Sequence, residues 1–139
     1  MTRILYIEDN ADHAELVMRH LERYQPREQV THLQDGEQAV RWLDAVAAGT
    51  VAAPRVVLLD LRLPRLDGMA VLEHIKGSPA LREIPVVIFT TSSTGRDVRE
   101  AYSRYANSYL VKPDDAGALK ELLAEVSHYW LDQNRGTAA

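Results

Sequence analysis

The chain has no cysteine among its 139 residues. Disulfides, thiolate metal centres and thiol nucleophiles are therefore excluded. A dominant charge is also missing. A formal net charge of -4 gives no broad basic footprint, and no nucleic acid is expected as a partner. No apolar run approaches the roughly 20 residues needed to cross a bilayer, so no membrane contact is expected either. The start, Met1-Thr2-Arg3, runs straight into ILYI and stops at Glu8-Asp9, unlike a signal peptide. The expected location is cytoplasmic. Seven scattered glycines form neither GxGxxG nor GxxxxGK[ST], which removes the usual glycine-rich phosphate loops. The five histidines, at 13, 20, 32, 74 and 128, show no ligand spacing and are expected on solvated faces.

What is present is a 46% hydrophobic chain whose apolar residues recur in five short runs. These are RILYIED (3–9), EQVTHLQD (28–35), RVVLLD (55–60), IPVVIFTT (84–91) and SYLVK (108–112). The first, third and fourth are apolar without alternation, as in strands covered on both faces of a parallel sheet. Helical stripes lie between and after them: Leu16, Val17, Leu21, Tyr24; Ala39, Val40, Leu43, Val46; and Met69, Leu72, Ile75. Val98, Ala101, Tyr102 and Tyr105 mark a fourth, and Leu119, Leu122, Leu123, Val126 and Trp130 a fifth. Asp35 before Gln38, and Thr94 before Asp97, look like helix caps with a partner at the third helical position. Asp67 is expected to be a cap or turn former as well. Five strand-then-helix units predict a doubly wound α/β domain on a five-stranded parallel sheet.

In such a sheet, ligands bind outside the carboxyl ends of the strands. Polar residues mark four of those ends: Glu8-Asp9 after the first, Asp60 after the third, Thr90-Thr91-Ser92 at the fourth and Lys112-Pro113 after the fifth. Three converging carboxylates repel one another and raise at least one pKa unless a cation lies among them. Hard oxygen donors, with no cysteine and no histidine expected at the same edge, point to Mg²⁺. Lys112 and the Thr90 hydroxyl can serve phosphate oxygens, and an aspartate carboxylate can itself take a phosphoryl group. The apolar run VVLL before Asp60 then has a purpose, because it fixes one carboxylate rigidly at the sheet edge. The Leu63-Pro64 and Asp67-Gly68 pairs turn the chain at once.

These motifs resemble the receiver domain of two-component response regulators over nearly the whole chain. The resemblance rests on Glu8-Asp9, on Asp60 in LLDLRLPRLDG, on Thr90 in VVIFTT and on Lys112-Pro113 in YLVKP. It implies a flavodoxin-like fold with strand order 2-1-3-4-5, a receiver domain over residues 1–134 and a disordered tail over 135–139. It implies that Asp60 accepts phosphate from a histidine kinase or histidine phosphotransfer protein. Asp9, Asp60 and the backbone carbonyl of Arg62 would hold Mg²⁺, with Glu8 reaching it through water, and Thr90 and Lys112 would bind phosphoryl oxygens. Pro113 would follow a cis peptide. Thr90 and Tyr109 would form the switch, Thr90 moving toward the phosphoryl group and Tyr109 turning inward. Arg62 and Ser92, each two residues past a site residue, would flank the route of attacking water, and Thr91 would narrow access.

Only 27 residues follow Lys112, which suggests a lone receiver acting by binding or phosphorelay. The aromatic cluster Tyr129-Trp130-Leu131 on the last helix is read as an interface, giving a homodimer through the fourth helix, fifth strand and fifth helix. IEDNADHAEL, LPRLDG and FTTSS with the terminal YWL most resemble the single-domain regulators paired with bacterial phytochromes, which would make the upstream partner a bacteriophytochrome kinase. No enzymatic activity beyond the chain's own phosphoryl transfer and dephosphorylation is expected. Two alternatives stand beside this reading. One is a pseudo-receiver that binds partners without phosphate. The other is a phosphatase of the haloacid-dehalogenase type, which wants a second acid where this chain has Arg62.

Overall fold

The computed structural model describes residues 1–137; Ala138 and Ala139, the end of the expected tail, lie outside the described residues. Five strands, β1 (Ile4–Ile7), β2 (Val30–Leu33), β3 (Val56–Leu59), β4 (Val86–Thr90) and β5 (Ser108–Val111), form one sheet. The strand order is 2-1-3-4-5 and every pairing is parallel. The helices are α1 (Ala11–Leu21), α2 (Gly36–Ala47), α3 (Gly68–Lys76), α4 (Gly95–Ser103) and α5 (Ala116–Ser127). This is the doubly wound parallel sheet that the spacing of strands and stripes predicts, in the flavodoxin-like order that the receiver resemblance implies.

Two apolar layers sandwich the sheet. Leu5, Ile7, Val57 and Leu59 face α2 and α3, packing with Leu43, Val71, Leu72 and Ile75. Ile4, Tyr6, Leu58 and Phe89 face α1 and α5, packing with Val17, Leu21, Leu119 and Leu123. Adjacent strand residues thus serve opposite layers, which is why β1, β3 and β4 read as continuous hydrocarbon. Each fully buried Val, Leu or Ile contributes about 1.5–3 kcal/mol, so the strands that carry the site are its most firmly held elements.

The caps follow the sequence. Asp35 accepts from the Gln38 amide at 2.8 Å, Asp67 from Ala70 at 3.2 Å and Thr94 from Asp97 at 3.2 Å. Some apolar assignments shift outward. Leu16 and Tyr24 are exposed, with Ala14 and Met18 taking core positions on α1. Of the expected fourth stripe only Ala101 is buried; Tyr102 is exposed on α4, and Tyr105 is exposed beyond the helix end at Ser103. Helical spacing alone cannot tell a face turned to the sheet from one left at the surface. The last helix continues from α5 through a π-helical turn at His128–Gln133. There Leu131 is 6% exposed within the α1–α5 layer, so it belongs to the chain's own core and leaves the surface cluster to Tyr129 and Trp130. The Lys112-Pro113 peptide is trans, not cis as expected, since no cis peptide bond occurs among the described residues; the chain keeps the preference of about 0.5–1 kcal/mol for trans before proline.

The turn after Asp60 depends on backbone contact. The Gly68 amide donates to the Leu61 carbonyl at 2.9 Å, and a Cβ at Gly68 would lie 2.1 Å from the Asp60 carbonyl oxygen. Only hydrogen fits there, so the α3 start is pressed against the loop bearing Asp60. Gly68→Ala is expected to cost about 1–3 kcal/mol in urea unfolding. Gly95→Ala, whose Cβ would meet only the mobile Arg99 guanidinium at 3.3 Å, should be neutral or stabilise by up to about 1 kcal/mol.

Candidate functional site

Parallel register delivers the polar residues to one corner. Ile7 pairs with Leu59, so Glu8 and Asp60 emerge side by side, and the Asp60 amide donates to the Ile7 carbonyl at 3.1 Å. Thr90 pairs with Val111, and the Lys112 amide donates to the Thr90 carbonyl at 2.7 Å. Glu8, Asp60, Thr90 and Lys112 are all buried at the strand ends, while Asp9 stays exposed.

Lys112 ties the corner together. Its Nζ donates to Asp60 Oδ2 at 2.9 Å and closely to Glu8 Oε1. Phe89 lies beneath the ammonium, its ring centroid 5.6 Å away. Glu8 also accepts from the Tyr6 hydroxyl at 3.4 Å and from the Asn10 amide at 3.3 Å. Burial pushes the Glu8 carboxyl above the usual range; Lys112 pulls it back, and Asp60 adds repulsion. Burial likewise raises the Tyr6 phenol, with Glu8 and Asp60 adding to the shift.

Carboxylate oxygens of Glu8, Asp9 and Asp60 lie within 4.8 Å of one another. Three carboxylates against one ammonium leave two uncompensated negative charges when all are ionised, the charge of one divalent cation. All-oxygen donors and partial exposure through Asp9 fit Mg²⁺ or Mn²⁺. The Arg62 amide donates to Asp60 Oδ1 at 3.3 Å, which fixes the start of the β3–α3 loop beside that cluster. The open side is a cleft of about 450 Å³ lined by Asp9, His13, Asp60, Thr91, Lys112 and Pro113 among others.

Tyr109 is half-buried, and its hydroxyl donates to the Ser92 carbonyl at 2.9 Å. The Ser92 amide makes a long contact, 3.4 Å, to the Thr90 hydroxyl. Arg62 and Ser92 do not simply flank the cleft: both side chains donate to Asp97 Oδ2, at 2.9 and 2.5 Å.

Three of the histidines depart from expectation, whereas His128 is exposed as expected. The His32 ring bonds the Glu8 carbonyl oxygen at 2.8 Å, and both His20 ring nitrogens are buried without partners. His13 lines the cleft with Nε2 buried and unpaired. Burial, then Lys112, holds His13 below its ordinary pKa, against an opposing pull from Asp60. The missed signal is Asn10, whose side chain accepts from the His13 amide at 3.0 Å as the α1 cap. A cap directly after Glu8-Asp9 puts the first turn of α1, and therefore His13, over the site.

Lys112→Met is expected to leave Glu8 and Asp60 facing each other uncompensated, a loss of about 3–5 kcal/mol at neutral pH. Because the folded Glu8 pKa is already raised, protonation on acidification removes one of the two charges. The penalty should therefore shrink as pH falls from 7 toward 5, measured by chemical unfolding across that range.

Comparison with known proteins agrees with this geometry. The family model described as "Response regulator receiver domain" matches residues 4–124. A "Probable methanogenesis regulatory protein FilR2" of Methanothrix harundinacea is 48% identical over 95% of this chain and 85% of its own length. Response regulator Rcp1 of Synechocystis sp. is 34% identical over 93% of this chain and 88% of its own. Its crystal structure in an Mn²⁺-bound form superposes with a TM-score of 0.88, covering 97% of this chain and 98% of that one at 33% identity. The phosphorylated cyanobacterial phytochrome response regulator RcpA superposes with a TM-score of 0.89, covering 99% and 100% at 28% identity. With the acid cluster, the bridging lysine and the strand order in place, the chain belongs to the response-regulator receiver family and has phytochrome response regulators among its near structural neighbours.

Proposed function

We propose that the chain is a receiver that accepts a phosphoryl group on Asp60 from a phosphohistidine of a kinase or phosphotransfer protein. An Asp60 oxygen attacks phosphorus, the P–N bond breaks, and the released imidazole nitrogen takes up a proton. The observation that carries this reading is the Lys112 ammonium shared between Asp60 and Glu8. It sets a positive charge against the nucleophile in a buried corner and lies where phosphoryl oxygens would gather. Glu8, Asp9, Asp60 and the Arg62 carbonyl would hold Mg²⁺, which supplies charge neutralisation for the incoming phosphoryl oxygens. Thr90 would donate its hydroxyl to one of them. Movement of Thr90 would free Ser92, whose carbonyl restrains Tyr109. Arg62 stands where a haloacid-dehalogenase phosphatase needs an acid, and its guanidinium has no proton to give at neutral pH.

Two partners follow. The upstream kinase is a bacteriophytochrome or a kinase of similar type, a reading supported by RcpA and Rcp1 as neighbours. The surface formed by α4, β5 and α5 pairs with a second copy. Tyr102, Val111 and Tyr129 are exposed on those elements and the turn after α5, Tyr105 on the connection from α4 to β5, and Tyr129 packs edge-on against Trp130 with centroids 4.9 Å apart.

Incubation with acetyl phosphate and Mg²⁺ should give a single-phosphoryl adduct by intact mass on the wild type and none on Asp60→Asn. No adduct on the wild type would instead support a phosphate-independent binding module. In sedimentation, the wild type should dimerise and Tyr129→Glu should weaken that association by at least about tenfold, an aromatic anchor being worth 2 kcal/mol or so. A monomer at every concentration, with and without beryllofluoride, ends the dimer reading.

A further inference from the structure

Asp97 is the third residue of α4, where an acid in a capping box reaches back to its own cap. Its amide does meet Thr94, but the carboxylate turns away. Oδ2 receives both Ser92 Oγ and Arg62 Nη2, at 2.5 and 2.9 Å. The Asp97 side chain is only 12% exposed although α4 is a surface helix, whereas the Arg62 side chain it holds is 71% exposed. The Ser92 hydrogen bond, then the Arg62 charge, keeps the carboxyl below its usual range against the cost of burial. The carboxylate thus gathers the β3–α3 loop, the β4–α4 loop and α4 onto one oxygen. Both of its donors lead back to the phosphoacceptor corner: Arg62 through its amide on Asp60, Ser92 through its contacts with Thr90 and Tyr109.

We propose that Asp97 is a positioning residue that sets how tightly the site holds a phosphoryl group, by competing for the Arg62 guanidinium. This deepens the reading of Asp60 as phosphoacceptor and rests on it. Arg62 is two residues from Asp60, and its planar fork suits a carboxylate and a phosphoryl group equally. A phosphoryl group adds about -1.5 to -2 charges and three acceptor oxygens at Asp60. The exposed guanidinium can then exchange one anion for the other without repacking the core. Whatever Asp97 contributes to holding Arg62, it subtracts from the grip on the phosphoryl group. By reciprocity, a phosphoryl group at Asp60 loosens Asp97, and with it the first turn of α4. Arg62, Arg96 and Arg104 line the groove between α3 and α4 beside this pair. Arg104 is committed to Glu73 and Glu100; among the ion pairs of the described residues, Asp97 engages Arg62 alone.

The test is a beryllofluoride titration with Mg²⁺ present, read by fluorine NMR, on four proteins: wild type, Asp97→Asn, Arg62→Ala and the double variant. Asp97→Asn is expected to bind at least about fivefold tighter, the low end of coupling between linked sites. Arg62→Ala, which keeps its backbone carbonyl, is expected to bind more weakly than wild type. The double variant should match Arg62→Ala, a result that a purely structural role for Asp97 would not produce. Unchanged affinity in Asp97→Asn, or a gain that survives without Arg62, overturns the proposal. Unchanged affinity in Arg62→Ala does so without reference to any Asp97 variant, should loss of that carboxylate unfold α4. A wild type that binds no beryllofluoride at all would instead remove the phosphoacceptor reading itself.

Discussion

The ammonium of Lys112 between Glu8 and Asp60 is the interaction on which the rest depends. Isolated carboxylates at those depths would take up protons or pull water into the sheet edge. One lysine on β5's end, 104 residues from Glu8 and 52 from Asp60, closes the sheet's carboxyl edge across three strands. The pairing is incomplete by design: with Asp9 included, the corner keeps more negative than positive charge. A site balanced by lysine alone would have no call for a divalent cation, and one without the lysine would have no fixed cation to meet an incoming anion.

The apolar layers make that balance possible. β1 and β3 are buried over their whole length, so their ends cannot drift apart to relieve repulsion between Glu8 and Asp60. The contact of Gly68 with the Asp60 backbone removes the remaining slack on the other side. Rigid strands therefore convert a change of charge at Asp60 into forces on loops, which are the parts able to move.

How much of this could be read in the sequence differs by level. The five strands and their order follow from uninterrupted Val, Ile and Leu runs and from motif resemblance, and the corner of Glu8, Asp9, Asp60, Thr90 and Lys112 follows from what stands at the ends of those runs. Three things were not legible, each for a physical reason. Tyr102 shares the period of a core stripe yet points outward, because periodicity defines a face without saying what covers it, and Tyr105 falls past the end of α4 with φ 70°, where the helical period no longer applies. Leu131 sits in the core because the helix continues by a π turn, which shifts side-chain phase by an amount no 3.6-residue pattern carries. The Asp97 pair depends on a contact between segments 35 residues apart, and local spacing holds no record of it.

The unequal attachment of the helices gives the last step. α3 buries Gly68, Met69, Val71, Leu72 and Ile75 of its nine residues, whereas α4, equally long, buries only Asp97 and Ala101. Hydrocarbon holds α3 down, and its burial free energy is indifferent to charge at Asp60. α4 is held by a carboxylate, a serine hydroxyl and a guanidinium, all of which respond to charge at short range. Elements with few apolar contacts are also those that open at low free-energy cost. The helix beside the proposed phosphoacceptor that is less bound by apolar burial is thus the one bound by groups that a phosphoryl anion would disturb. If Asp60 takes a phosphoryl group as proposed, signal output through α4 would need no long relay: a single guanidinium with a choice of two anions would connect chemistry at Asp60 to the position of that helix.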